Sequence, residues 1–570
     1  MLIEGGLTAI AVAVAFCWPS IGSRYFSLIE QLFGRLGRRQ GLAAATVGAT
    51  ALLLRLAILP LCPVPNPFIP NDFSFLLASD TFASGRLTNP TPIMWTHFES
   101  IHITMKPSYM SMYFPAQGLV LAAGKVLFGH PWFGVLCASA LMCTAICWML
   151  QAWLPPTWAL LGGLLAVLRL ALFSYWTNTY SGGGSIAALG GALVLGALPR
   201  LMRTGRLRYG LLLATGLILL ATTRPYEGIL LCIPVGAVLS RWLIRGKNRP
   251  TPAALLRLAA APVGMIIAAG AWMSYYNYRA FGSPLTPPYS IDRETYAMAP
   301  YFVWQSQRPE PVYRHLVMRR FYYEKELNDF RKIHTRSGFL PQTLYKVMTG
   351  IMFFAGTALL TPLIMLRRTL LDRRIRFLVV CILVLTAGML IEIFLVPHYL
   401  APFTSVFYAI GLQAMRHLRL WTPSGQAVGL GILRLTVLLC VVLAGLRIWA
   451  QPLHLKLAQW PVSQWIDTWY GPAPFGAERA RIDEQLQQLP GKQLVIVRYS
   501  PNHDPYDEWV YNAADIEGSR VIWARETTST DDRDLIRYYK DRRVWLVQPD
   551  LQPAQISPYT LPRQQGASLQ

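Results

Sequence analysis

Residues 42–62 read LAAATVGATALLLRLAILPLC, followed at 63–72 by PVPNPFIPND and then by a helical apolar pattern of Phe73, Leu76, Leu77 and Phe82. The first run has the length of a membrane-spanning helix, about 20 apolar residues. Pro70-Asn71-Asp72 closes this long apolar helix at what reads as the outer face of a bilayer. A carboxylate therefore stands just outside the membrane. A lysine, Lys106, follows before Pro107 in an aromatic, Met-rich stretch. Chemistry on a phosphate-carrying lipid calls for groups of these two kinds at a membrane edge.

The whole chain agrees with that beginning. Its 570 residues are 53% hydrophobic and 14% charged, with a mean hydropathy of +0.35, which excludes an ordinary soluble protein. Apolar stretches at 5–20, 42–62, 131–153, 156–175, 180–199, 209–223, 227–244, 252–276, 343–366, 377–396, 400–416 and 427–449 predict an α-helical polytopic membrane protein of about twelve spans. The piece 115–129 reads as re-entrant or interfacial.

The net charge of +23 falls mostly in the links between spans: 24–39, 200–208, 241–249, 367–376 and 416–419. These links lie on one side if 115–129 does not cross, and the positive-inside rule makes that side cytoplasmic. Both termini, the loops 63–114 and 278–342 and the tail then lie outside a multi-pass cell-membrane protein, with a bacterial inner membrane as the expected location. Topology already accounts for the arginines, so nucleic acid is excluded as a partner. The eight cysteines sit in or at the ends of apolar segments, which implies neither a disulfide framework nor a Cys-based zinc site.

Four regions follow: an extra N-terminal span and link at 1–41, a transmembrane domain at 42–450, a Pro- and Trp-rich linker at 451–477, and a small α/β domain at 478–570. Within the last, we expect a helix at 478–489, strands at 494–499 and 521–525, a helix opened by Asp531-Asp532, a strand at 544–548 and loose final residues.

Candidate chemistry concentrates in the outer loops. Asp72 is either a functional carboxylate or a helix N-cap. Glu99 and His102 share a face if their segment is helical, so they are the pair to hold a divalent ion; no cofactor is required. Lys106 is otherwise an interface anchor. Arg224 and Glu227 interrupt two apolar runs, where a charged pair is costly unless solvated, paired or functional. His398-Tyr399, shortly after Glu392, points to the same aqueous face. Arg319 and Arg320 stand among aromatics in the second loop, a mixture suited to a sugar phosphate or to anionic lipid. The turn Ser181–Gly184 lacks the Lys-Ser/Thr of a phosphate-binding loop and reads as close helix packing.

In their order, Asn71-Asp72-Phe73, Ser84-Gly85-Arg86-Leu87, Lys106-Pro107-Ser108 and Leu127-Phe128-Gly129 resemble the GT-C glycosyltransferases. The nearest look-alikes are the protein O-mannosyltransferases and the lipid A aminoarabinose transferases. The resemblance spans roughly 42–245, with an echo at His398-Tyr399. Phe73 stands where those enzymes carry a second acid. The resemblance implies an inverting transfer of a sugar from a polyprenyl-phosphate donor to a protein, lipid or glycan acceptor at the outer membrane face. Asp72 would be the base, and Lys106, Arg224, Glu227, Arg319, Arg320, His398 and Tyr399 would surround the donor. A lipid or glycan transporter and a non-catalytic scaffold of envelope glycan assembly are the alternatives.

Overall fold

The computed structural model describes residues 2–246, 249–450, 452–453 and 475–560. The expected linker at 451–477 falls almost entirely outside them, as do the last ten residues of the chain.

Among the described residues, six helices are long and apolar enough to cross a membrane: Gln40–Ala57, Trp132–Trp153, Gly184–Thr204, Pro225–Arg245, Pro252–Phe281 and Val428–Ile448. A seventh crossing arises if Arg336–Phe354 and Ala358–Leu370, bent by 108°, form one broken span. Most of the other expected spans correspond to shorter apolar helices, such as Pro156–Ala166 and Leu207–Ala221. The link after the first apolar helix is itself helical, Ser23–Arg38. Proline opens many of these elements: Pro70, Pro115, Pro156, Pro225, Pro252 and Pro288 are each the first residue of a helix. That position needs no intrahelical N–H and suits proline's fixed φ.

The helix over 40–57 does not run on to Asp72. It stops at Ala57, a non-helical stretch follows, and a new helix starts at Pro70. Ile69 occupies the N-cap position of that helix, which places Asp72 inside the first turn rather than at the cap.

The loop 63–114 carries the helix Pro70–Ala83, a short turn at Trp95–Phe98 and a two-stranded hairpin of β1 (Ile103–Thr104) and β2 (Met110–Ser111). The loop 278–342 is mostly helical and is clamped to the 391–393 segment. Ile393 N–H donates to the Tyr301 carbonyl at 2.8 Å and Val303 N–H to the Ile391 carbonyl at 3.0 Å.

The C-terminal domain holds helices Ala477–Gln488 and Ser529–Tyr538 and a sheet of β3 (Lys492–Val497), β4 (Val521–Arg525), β5 (Arg542–Gln548) and β6 (Gln555–Pro558). The spatial order is β4-β3-β5-β6, with the first three parallel and β6 antiparallel. The edge strand β6 occupies residues expected to be loose.

Alternation along β3 and β4 explains how this sheet is seated. Val495, Val497 and Trp523 face Ile482 and Leu486 of the first helix. Leu494, Ile496, Ile522 and Ala524 face the other way, into a core shared with Leu77, Phe98, Ile103 and Tyr109 of the first loop. Strand side chains alternate faces, so a sheet apolar on both needs a cover on each. One cover here is the loop that carries Asp72. Phe73, fully buried, stacks on Tyr511 with ring centroids 4.8 Å apart and lies 4.8 Å from the Arg479 guanidinium. The phenylalanine at the acidic position is thus a packing contact for the C-terminal domain.

Candidate functional site

A cavity of about 280 Å³ lies where the turn 180–184, the start of the Pro225–Arg245 helix, the loop 278–342 and the 392–399 segment converge. The turn organises one side of it. Gly182 and Gly183 have φ of +88° and +61°, a left-handed conformation that favours glycine. A Cβ on Gly182 would stand 2.8 Å from His398 Nδ1, and one on Gly184 would stand 2.4 Å from the Trp176 ring. The glycines therefore serve close packing, and the turn they form is also cavity wall, with Ser181 and Gly182 facing the space. Two turns into the helix that Gly184 opens, Gly191 lets the 397–403 turn approach, since a Cβ there would meet the Pro402 carbonyl oxygen at 1.8 Å. Replacing Gly182 by Ala is expected to destabilise the protein by about 1–3 kcal/mol from backbone strain alone, visible as a lower thermal midpoint.

Asp72 is fully buried directly behind this turn. Its Oδ1 accepts the Tyr180 N–H at 3.0 Å and its Oδ2 the Phe68 N–H at 3.4 Å. Burial pushes the carboxyl up to about 7, with the N–H donors and the neighbouring Ser181 side chain pulling it back. Asp72 is not itself on the cavity wall. Its neighbours Asn71 and Ser181 are.

Arg224, buried, reaches the turn from the opposite direction. Its Nη2 donates to the Gly182 carbonyl at 3.3 Å, and its guanidinium lies 4.5 Å from the Tyr399 ring centroid and 4.0 Å from Glu227 Oε1. The His398 ring meets the Tyr175 hydroxyl at 2.8 Å. Asp72, Arg224, Glu227, His398 and Tyr399 are therefore gathered around one turn. Glu392 faces the same space, and its Oε2 is buried without a hydrogen-bond partner among the described residues.

Of the remaining candidates, His102 lines this cavity, and Lys106, Glu99, Arg319 and Arg320 do not. Lys106 is exposed, with Nζ 4.4 Å from the Trp95 ring centroid, away from the cavity wall. Lys106→Gln should accordingly leave donor binding within about twofold, a change too small for a lost charged hydrogen bond. Arg319 pairs with Glu310 at 3.3 Å, while Arg320 donates to the His503 carbonyl at 3.1 Å. Glu99 and His102 do not share a helix face. Glu99 accepts from the Tyr296 hydroxyl at 2.8 Å and from Arg314 at 3.2 Å. His102 meets the Tyr113 hydroxyl at 3.0 Å and is driven down to about 3, mostly by burial. No cluster of three His, Cys, Asp or Glu side chains suited to a metal occurs among the described residues.

Residues absent from the sequence-based candidates complete the cavity. Arg293 binds Glu326 at 2.7 Å and lies 4.7 Å from the Tyr301 ring centroid. Burial raises the Glu326 carboxyl, and the arginine opposes that shift. Tyr289 adds a further ring to the wall. The pair spans 33 residues of a loop without periodic pattern, so no local spacing announces it.

No family model matches the chain, and no curated protein matches its sequence. Solved structures of the Archaeoglobus fulgidus oligosaccharyltransferase are similar to it. The form tethered to an acceptor peptide has a TM-score of 0.44 at 10% identity over 88% of this chain and 68% of that one. The apo form gives 0.42 at 11% over 81% and 62%. The complex of that enzyme, AglB, with an inhibitory peptide and a dolichol-phosphate gives 0.40 at 11% over 89% and 69%.

Proposed function

We propose that this chain transfers a sugar from a polyprenyl-phosphate donor to an acceptor hydroxyl within the cavity beside the 180–184 turn. The observation that carries this reading is the meeting, around one turn, of a buried carboxylate whose affinity for protons is tuned near neutrality and a buried arginine on a cavity rich in tyrosines. A base poised near the working pH is what general-base catalysis favours. Aromatic walls suit a sugar ring, and a fixed guanidinium suits a departing phosphate.

In this reading the acceptor attacks the anomeric carbon from the face opposite the phosphate. The bond from that carbon to the phosphate oxygen breaks, its electron pair stays on the phosphate, and Arg224 stabilises the charge. The acceptor's proton passes through the Ser181 hydroxyl to Asp72. Configuration at the anomeric carbon inverts. Apolar helices next to the cavity would let the lipid tail of the donor remain in a membrane while its head reaches the site, and the reaction would take place at the outer face.

Purified protein given a polyprenyl-phosphate sugar and a mixture of acceptors should release polyprenyl phosphate in an acceptor-dependent manner. Movement of intact donor across vesicles without release would favour a transporter, and neither outcome a scaffold.

A further inference from the structure

A second, larger cavity of about 580 Å³ lies between the loop 278–342 and the C-terminal domain, separate in its lining from the first. Its place in the sheet is informative. β3 is flanked by β4 on one side and β5 on the other, all parallel, so the chain leaves β3 in one direction and then crosses to the other side. Open α/β sheets bind ligands outside the carboxyl ends of their strands; the reversal itself lies between β3 and β5, and this cavity stands beside it, over the ends of β3 and β4. Arg498, Tyr499 and Ser500, which follow β3, and Glu526 and Thr527, which follow β4, line this cavity.

The chemistry of the wall narrows the ligand. Four arginines, Arg314, Arg320, Arg498 and Arg525, line the cavity with two acids, Glu526 and Asp531, and Arg498 pairs with Glu526. His315 adds no charge near neutrality, because burial and then the Arg525 charge push it down to about 3. Arg525 ends β4, is 2% exposed and holds the Glu99 carbonyl and Glu508 Oε2, each at 2.6 Å. Its Nη1 has no hydrogen-bond acceptor among the described residues. A buried guanidinium with an unused donor favours an incoming oxyanion. Hydroxyls of Thr96, Ser500 and Thr527 complete a wall with few aliphatic groups, a poor match for a lipid tail.

We propose that this cavity binds an acidic saccharide through a carboxylate or phosphate on the sugar. The segment 498–506 joins it to the first cavity: Arg498, Tyr499, Ser500 and His503 line the second, Tyr506 the first. The oxyanion follows from the wall itself; that it is carried by a saccharide, and that this saccharide is part of the acceptor, rests on the transferase reading.

Binding to full-length protein in detergent tests the site without requiring turnover. The probes are trigalacturonate, glucose 6-phosphate, neutral maltotriose and inorganic phosphate. One or both acidic sugars should bind at least about tenfold tighter than maltotriose, as expected for a charged hydrogen bond, and which of the two binds identifies the oxyanion. Arg525→Gln should weaken that binding on the order of tenfold. Because Arg525 also joins two segments, Ser500→Trp serves as a second variant that fills the cavity while leaving Arg525 in place, and it should abolish binding. The proposal is overturned if acidic and neutral sugars bind alike or not at all, if only inorganic phosphate binds, or if folded Ser500→Trp binds the acidic sugars unchanged. A wild-type protein that turns over donor yet ignores every acidic sugar overturns this site alone.

Discussion

Asp72→Asn is expected to reduce sugar transfer by about 10²–10⁴-fold, the usual contribution of a general base, while donor affinity stays near that of the wild type. The substitution is almost isosteric. Its carbonyl oxygen can still accept the Tyr180 N–H, while the longer contact from Phe68 loses its acceptor. Stability separates the catalytic role from a structural one. The Asp72 carboxyl is raised from an ordinary 3.8 to about 7, so between those pH values the folded state binds more protons than the unfolded state. Stability contributed by this site therefore falls as pH rises through that window. Replacing the acid by Asn removes that slope, and the variant should melt no lower than wild type at pH 8. Transfer by the wild type should rise with pH up to about 7 and then level off, as Asp72 loses its proton. A pH series of initial rates alongside thermal unfolding checks both statements, and Ser181→Ala should lower the rate as well if the proton passes through its hydroxyl.

Arg224→Gln should weaken donor binding on the order of tenfold or more, the worth of a charged hydrogen bond to phosphate. It should lower the rate by about 10²–10³-fold through lost stabilisation of the departing charge. Removing one member of a buried ion pair also strands the other. Glu227, equally buried and 4.0 Å away, would be left without this partner. The double variant Arg224→Gln/Glu227→Gln removes both charges and should recover stability without recovering donor affinity. Titration of each variant with a polyprenyl-phosphate sugar, beside its melting temperature, separates the phosphate contact from the ion pair.

What the sequence discloses of this molecule follows the range of its interactions. Apolar run lengths report helices because burial along one helix is local information, and the small α/β domain is legible in its alternating strands for the same reason. Run length reports crossings less well. Helices such as Leu207–Ala221 are apolar but shorter than a crossing by length alone requires. Arg224, Glu227 and His398 stand out because charged or polar groups interrupt apolar runs where their cost demands a use. Arg293 and Glu326 do not stand out, since their pairing depends on how a polar loop folds back over the bundle. Phe73 is instructive in a different way. By resemblance it marks a missing acid, and only the seating of Tyr511 and Arg479 on its ring reveals what it does instead. Glu99 and His102 do not share a helix face because the short helix ends at Phe98, where Glu99 turns to ψ 126°, and His102 then adopts φ +65°.

The most direct test of the account is a density map of the protein with a bound polyprenyl-phosphate sugar. The phosphate should lie at Arg224, the sugar between Tyr289 and Tyr399, the anomeric carbon toward Ser181 with Asp72 behind it, and the lipid tail should leave between apolar helices. A headgroup bound away from the 180–184 turn, with this cavity empty and Asp72→Asn fully active, would contradict it.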